Sequence, residues 1–273
     1  MKFSKEKKLH ITGGLFYVAA VVFLLLNLLV WNSSKNYKTN FALVALIAFV
    51  GIVFTLLGVN ERFRNRENEQ EKKLINVRMI SLMGIMSAIS TILYMFVKFP
   101  LPMLFPAFLD IQVSEIPALI TSFAYGPIAG AIVIVIRCLI KLPFTGTACV
   151  GELADLLIGL SLVIPAGIIY KRHKSLKGAL AAFAISASIA TVVALVANWL
   201  ILIPFYIDFY FGGSINPLLS MMPSFLHINE SNYMAVYLFG ANLPFNIVRY
   251  VLVGVLTFLL YKKIHVLLLR IEE

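Results

Sequence analysis

Eight stretches of the chain are long, apolar and almost free of charge: residues 11–31, 41–59, 79–97, 113–125, 127–142, 153–170, 179–203 and 233–261. A helix crossing a hydrocarbon core of ~30 Å needs about 20 such residues, and most of the runs approach or exceed that length. The pattern predicts eight transmembrane helices. The division at Gly126 and Pro127 is the least secure, because glycine and proline there suit either a kink in one long helix or the start of a new one. The basic residues decide. With a hairpin at this point, the clusters within residues 2–8, 62–78, 171–177 and 262–270 fall on one side, against Lys35, Lys38, Lys98 and Lys141 on the other. That is the asymmetry of a positive cytoplasmic face, whereas a single kinked helix would export the cluster at 171–177.

The expected fold is therefore an all-α integral membrane protein with both termini in the cytoplasm. It divides into an N-terminal transmembrane hairpin (residues 1–60), a charged cytoplasmic linker (61–78) and a six-helix module (79–273). The composition, 60% apolar and 13% charged over 273 residues, agrees. The net charge of +10 lies in short segments between the apolar runs, so topology accounts for it and no nucleic-acid partner is expected. The first run is full length and ends in no small-residue cleavage site, so it is expected to remain as a helix. Cys138, in a span, and Cys149, in a loop, show neither metal-ligand spacing nor a disulfide framework.

Polar residues inside the apolar runs narrow the function. Asn246 and Arg249 stand one turn apart in the last run, and a guanidinium keeps its proton, so it needs a partner, a ligand or water. Counted from the cytoplasmic clusters at ~1.5 Å per residue, Arg249 lies roughly 20 Å from the inner edge and Asn246 and Asp155 roughly 24 Å, with Glu152 at roughly 28 Å and Asn198 at roughly 31 Å. Arg137 falls near the midplane. Three helices thus place polar groups in the outer part of the membrane, which predicts a binding pocket facing outward. Structural alternatives stay open: Glu152 and Asp155 suit the first turn of their helix, Arg137 and Asp155 are placed to tie two helices, and Asn198 can bond a neighbouring backbone.

The external segment 98–114, KFPLPMLFPAFLDIQVS, is too apolar for a solvated loop and is expected to act as a lid. The second outer loop, 207–232, reads as an interfacial cover. Small residues four apart at Gly84 and Ala88, and again at Gly126 and Gly130, allow close helix approach. No P-loop, H-E-x-x-H or G-x-S-x-G motif is present, so no catalytic constellation is evident. Transport or reception by binding is the leading reading, with any ATP energy supplied by partners. An intramembrane enzyme acting on a lipid, or an assembly factor, stays open as an alternative.

Residues 79–273 resemble the substrate-binding S component of energy-coupling factor (ECF) vitamin transporters, most closely the riboflavin-specific type. The resemblance is carried by FPLPMLFPAFLDIQVSEIPALI (99–120), FAYGPIAGAIV (123–133), GELADLLIGLSLVIPAGIIYKR (151–172) and NLPFNIVRYVLVGVLTFLLYKK (242–263). It implies a bundle in the bacterial cytoplasmic membrane that binds a vitamin, riboflavin in this type, as transported ligand rather than cofactor. It implies contacts from Asn198, Asn246 and Arg249, from Thr145, Gly146 and Thr147 beside the flavin ring, and from Leu101 and Pro102 in the lid, near Glu152 and Asp155. It also implies partners, a transmembrane coupling subunit met by Gly84 and Ala88 and two cytoplasmic ATPases. Arg249 stands where a lysine is expected and the loop 207–232 is longer than usual, so another flavin or small vitamin stays open as the ligand, and residues 1–60 lie outside the family pattern.

Overall fold

The computed structural model describes the backbone of residues 77–272 and the side chains of residues 79–260. The expected N-terminal hairpin and most of the linker lie outside the described residues. Within them the chain runs through α1 (Val77–Phe96), strands β1 (Lys98–Pro100) and β2 (Asp110–Gln112), α2 (Ile116–Tyr125), α3 (Pro127–Lys141), α4 (Val150–Arg172), α5 (Leu176–Phe209) and α6. The last begins at Tyr233–Ala235 and continues through Leu243–Glu272. α1, α3, α4, α5 and α6 are long and apolar enough to cross a membrane.

α2 is not, which corrects the expectation of a full crossing at 113–125. Its ten residues rise ~15 Å, about half of a hydrocarbon core. The chain turns just before it, where the Ile116 amide donates to the Val113 carbonyl, and Pro117 occupies the first turn, where its missing N–H is not needed. At the other end Gly126 has φ 95°, a conformation in which a Cβ is strained, and Pro127 opens α3. The pair is thus the turn of a tight α2–α3 hairpin rather than a kink. Gly130 is what lets the hairpin close onto α4: a Cβ there would lie 2.5 Å from Val163 Cγ1 and 2.7 Å from the Ala118 carbonyl oxygen. α4 packs against α2, α3 and α5, and Ser122 Oγ donates to the Val163 carbonyl at 2.9 Å.

Two turns depart from α-geometry, Asn198–Leu202 in α5 and Val236–Asn242 in α6, both widened to π-helix. In the first, the Ile203 amide reaches the Asn198 carbonyl five residues back. Each turn is followed two residues later by proline, Pro204 or Pro244. A proline in a helix lacks the donor for the carbonyl four residues earlier and crowds it, here Leu200 and Gly240, and a wider turn relieves both problems.

One end of the helix bundle is roofed. β1 and β2 form an antiparallel hairpin in the register Lys98↔Gln112, Phe99↔Ile111 and Pro100↔Asp110. Its apolar side is pinned to α6, where Phe105 and Ile111 pack on Phe245 and the two phenylalanine rings meet edge to face at 5.3 Å. The loop between α5 and α6 buries Leu218 against Ile203, Tyr237 and Ala241, and Phe108 and Leu109 of the lid pack on the same cluster. A backbone hydrogen bond from Ala107 to the Met221 carbonyl joins the two covers.

Candidate functional site

Beneath this roof lies a cavity of about 180 Å³. Its wall takes Tyr94 from α1, Phe108, Asp110 and Gln112 from the lid hairpin, Glu152 and Asp155 from α4, Asn198 and Tyr206 from α5, and Asn242, Asn246 and Arg249 from α6. Aromatic rings and short polar groups therefore alternate around one space, the composition of a site for a flat, hydrogen-bonding organic molecule. The wall is well ordered by internal bonds. Tyr237 donates to Asn198 Oδ1 at 2.6 Å while Asn198 Nδ2 donates to the Ala194 carbonyl at 2.9 Å. Asn246 Nδ2 donates to Asn242 Oδ1 at 2.5 Å and to its carbonyl at 2.9 Å. Asn242 Nδ2 itself is buried with no protein acceptor, and Gln112 Oε1 is buried with no donor. Such groups cost free energy unless something else satisfies them, and both belong to residues that line the cavity.

The structure brings Asn198, Asn246 and Arg249 together here, with Thr147, Glu152 and Asp155. Thr145 and Gly146 lie just behind. Thr145 and Thr147 donate to Glu152 Oε2 at 2.7 and 2.9 Å, and Lys141 Nζ lies 3.4 Å from Glu152 Oε1. The Thr145 hydroxyl also accepts from the Thr147 and Cys149 amides, and the Gly146 carbonyl accepts from Tyr210. These backbone groups are thus engaged within the protein, holding a loop in which Ala148 and Cys149 have positive φ. Leu101 and Pro102 fall in the exposed turn beyond the strands, outside the lining, and Phe108 supplies the lid's ring instead, within 6.4 Å of Tyr206 and 5.9 Å of Tyr237. Gly84 and Ala88 are exposed on α1.

Behind the lining sits a charge network that the apolar-run reading assigned differently. Arg137 is fully buried, yet it does not pair with Asp155. It donates to Ser114 Oγ at 2.7 Å, lies 3.9 Å from Glu115, and stacks over the Tyr94 ring at 4.7 Å. Asp155 accepts from the Tyr94 hydroxyl at 2.5 Å instead. Glu115, 1% exposed, also accepts from Arg249. One carboxylate at the start of α2 thus serves two guanidiniums from α3 and α6. A buried guanidinium without a partner would be strongly destabilising in this setting, so Glu115 accounts for how two arginines are tolerated. Its signal in the sequence was the acidic residue in SEIP, between an apolar lid and an apolar helix, together with the need for a counter-charge to Arg137 and Arg249. Asn242 stands four residues before Asn246, the spacing that puts two helix residues on one face, and that spacing was its signal in the sequence.

An apolar helical bundle with a roofed, polar-lined cavity at one end has the form of a substrate-binding membrane subunit. The chain belongs to the family described as "ECF transporter, substrate-specific component", whose model matches residues 78–261. It is 31% identical over 208 residues to the riboflavin transporter RibU of Staphylococcus aureus (strain TCH60), covering 76% of this chain and 98% of that protein. It is 25% identical over 193 residues to the riboflavin transporter FmnP of Bacillus subtilis (strain 168), covering 70% and 93%. Among solved structures it is similar to an S component of a bacterial ECF transporter, with a TM-score of 0.54, 27% identity, and coverage of 70% of this chain and 97% of that one.

Proposed function

We propose that this chain is the riboflavin-binding subunit of an ECF-type importer, taking the vitamin from outside and delivering it inward with a transmembrane coupling subunit and two ATPases. Riboflavin is cargo in this reading, and the protein is not an enzyme. The observation that carries it is the convergence of Asn198, Asn242, Asn246 and Arg249 on one aromatic-walled cavity, in a chain whose relatives are riboflavin transporters. The rings of Tyr94, Phe108 and Tyr206 suit the faces of a flavin, and the amides and carboxylates suit its ring edge and ribityl hydroxyls. Thr147, Glu152 and Asp155 complete this wall, with Thr145 and Gly146 shaping the loop that presents Thr147. Leu101 and Pro102 belong to the lid as its outer turn.

The cavity faces the exterior of a bacterial cytoplasmic membrane crossed by residues 79–273, with residues 1–60 as an added hairpin, residues 61–78 as a cytoplasmic linker and both termini inside. Gly84 and Ala88 form the face that meets the coupling subunit. The test is equilibrium titration of the purified protein with riboflavin, read as quenching of flavin fluorescence. Saturable quenching is expected, and its absence at micromolar riboflavin removes the assignment. Mass spectrometry of any small molecule that co-purifies identifies the cargo independently.

A further inference from the structure

The ionisable side chains around the cavity cancel. Lys98, Lys141 and Arg249 line it with Asp110, Glu152 and Asp155, and directly behind them Arg137 and Glu115 add one charge of each sign. Lys98 lies 3.8 Å from Asp110 and Lys141 lies 3.4 Å from Glu152. Arg249 is met by Glu115, which is buried and does not itself line the cavity. A guanidinium stays charged at any ordinary pH, so without this carboxylate the wall would carry an uncancelled positive charge where Coulomb forces are weakly screened.

We propose that Glu115 is a specificity-determining residue: by neutralising Arg249 it fits the cavity to an uncharged, hydroxyl-rich flavin in preference to the same flavin carrying a phosphate. It acts through Arg249, without contact to the ligand. This rests on the flavin reading above, and deepens it by naming the group that discriminates on charge.

The test is the ratio of Kd values for riboflavin and for flavin mononucleotide, its phosphate ester, measured on the purified full chain. Glu115→Gln is expected to move the ratio roughly tenfold or more towards the phosphate ester, while Glu115→Asp, which keeps the charge, leaves it close to that of the unaltered protein. A role confined to packing would weaken both flavins alike, and an unmoved ratio in Glu115→Gln overturns the proposal. If that variant does not fold, Arg249→Gln supplies the opposite sign. It removes one positive charge from the wall and leaves Glu115 with Arg137 alone, so the ratio must move against the phosphate ester, and an unmoved ratio again overturns the proposal. An unaltered protein that binds neither flavin removes the functional reading and this inference together. An unmoved ratio with riboflavin binding intact removes the inference alone.

Discussion

Arg249 is both a wall of the cavity and half of a buried ion pair, and the two roles separate on truncation. Arg249→Ala is expected to weaken riboflavin binding by about 1–3 kcal/mol, the range for a lost hydrogen bond to a charged group, measured by flavin titration. Its effect on folding should be smaller than the ~3–5 kcal/mol usual for orphaning a buried charge, because Glu115 keeps Arg137 at 3.9 Å. Thermal unfolding in detergent checks this second expectation. The arginine and the asparagines could be read from the sequence because a charge or amide in an apolar run is costly enough to demand a reason. Glu115 escaped notice because it sits at the junction of lid and helix, where an acidic residue passes for an interfacial one. Only the folded chain places it 1% exposed between two cations.

Among the elements, the helices were legible from run length and charge asymmetry, but their terminations were not. α2 is half-length because residues 113–115 turn the chain and place Glu115, a use that hydropathy does not encode. The π turns were equally hidden, although prolines at 204 and 244 offered a signal. The register of the lid hairpin, which sets Lys98, Asp110 and Gln112 along the cavity and turns Ile111 onto Phe245, depends on strand pairing and cannot be taken from composition. Gly130 tests the α2–α3 hairpin directly. An added Cβ would meet Val163, Ser122 and the Ala118 carbonyl at 2.5–2.7 Å, and a carbonyl in a helix cannot give way cheaply. Gly130→Ala should therefore destabilise the module by about 1–3 kcal/mol, seen as a lowered unfolding midpoint.

For the whole molecule, binding and transport are expected to reside on different faces. Among the described residues nothing lies within 4 Å of a Cβ built on Gly84, and both Gly84 and Ala88 are exposed, so a larger residue there leaves the cavity untouched. Gly84→Leu should retain riboflavin affinity in the purified protein and abolish uptake in cells that hold the complete transporter. Unchanged uptake would place the coupling subunit elsewhere. The family model begins at residue 78 and is silent on the residues before it.

The seam between Ala107 and Met221 has a kinetic consequence. No residue of 207–232 lines the cavity, yet that loop is bonded to the flap that does. Substitutions in it can therefore lengthen or shorten the residence time of the vitamin while leaving every ligand contact in place, so dwell time and selectivity are free to diverge independently.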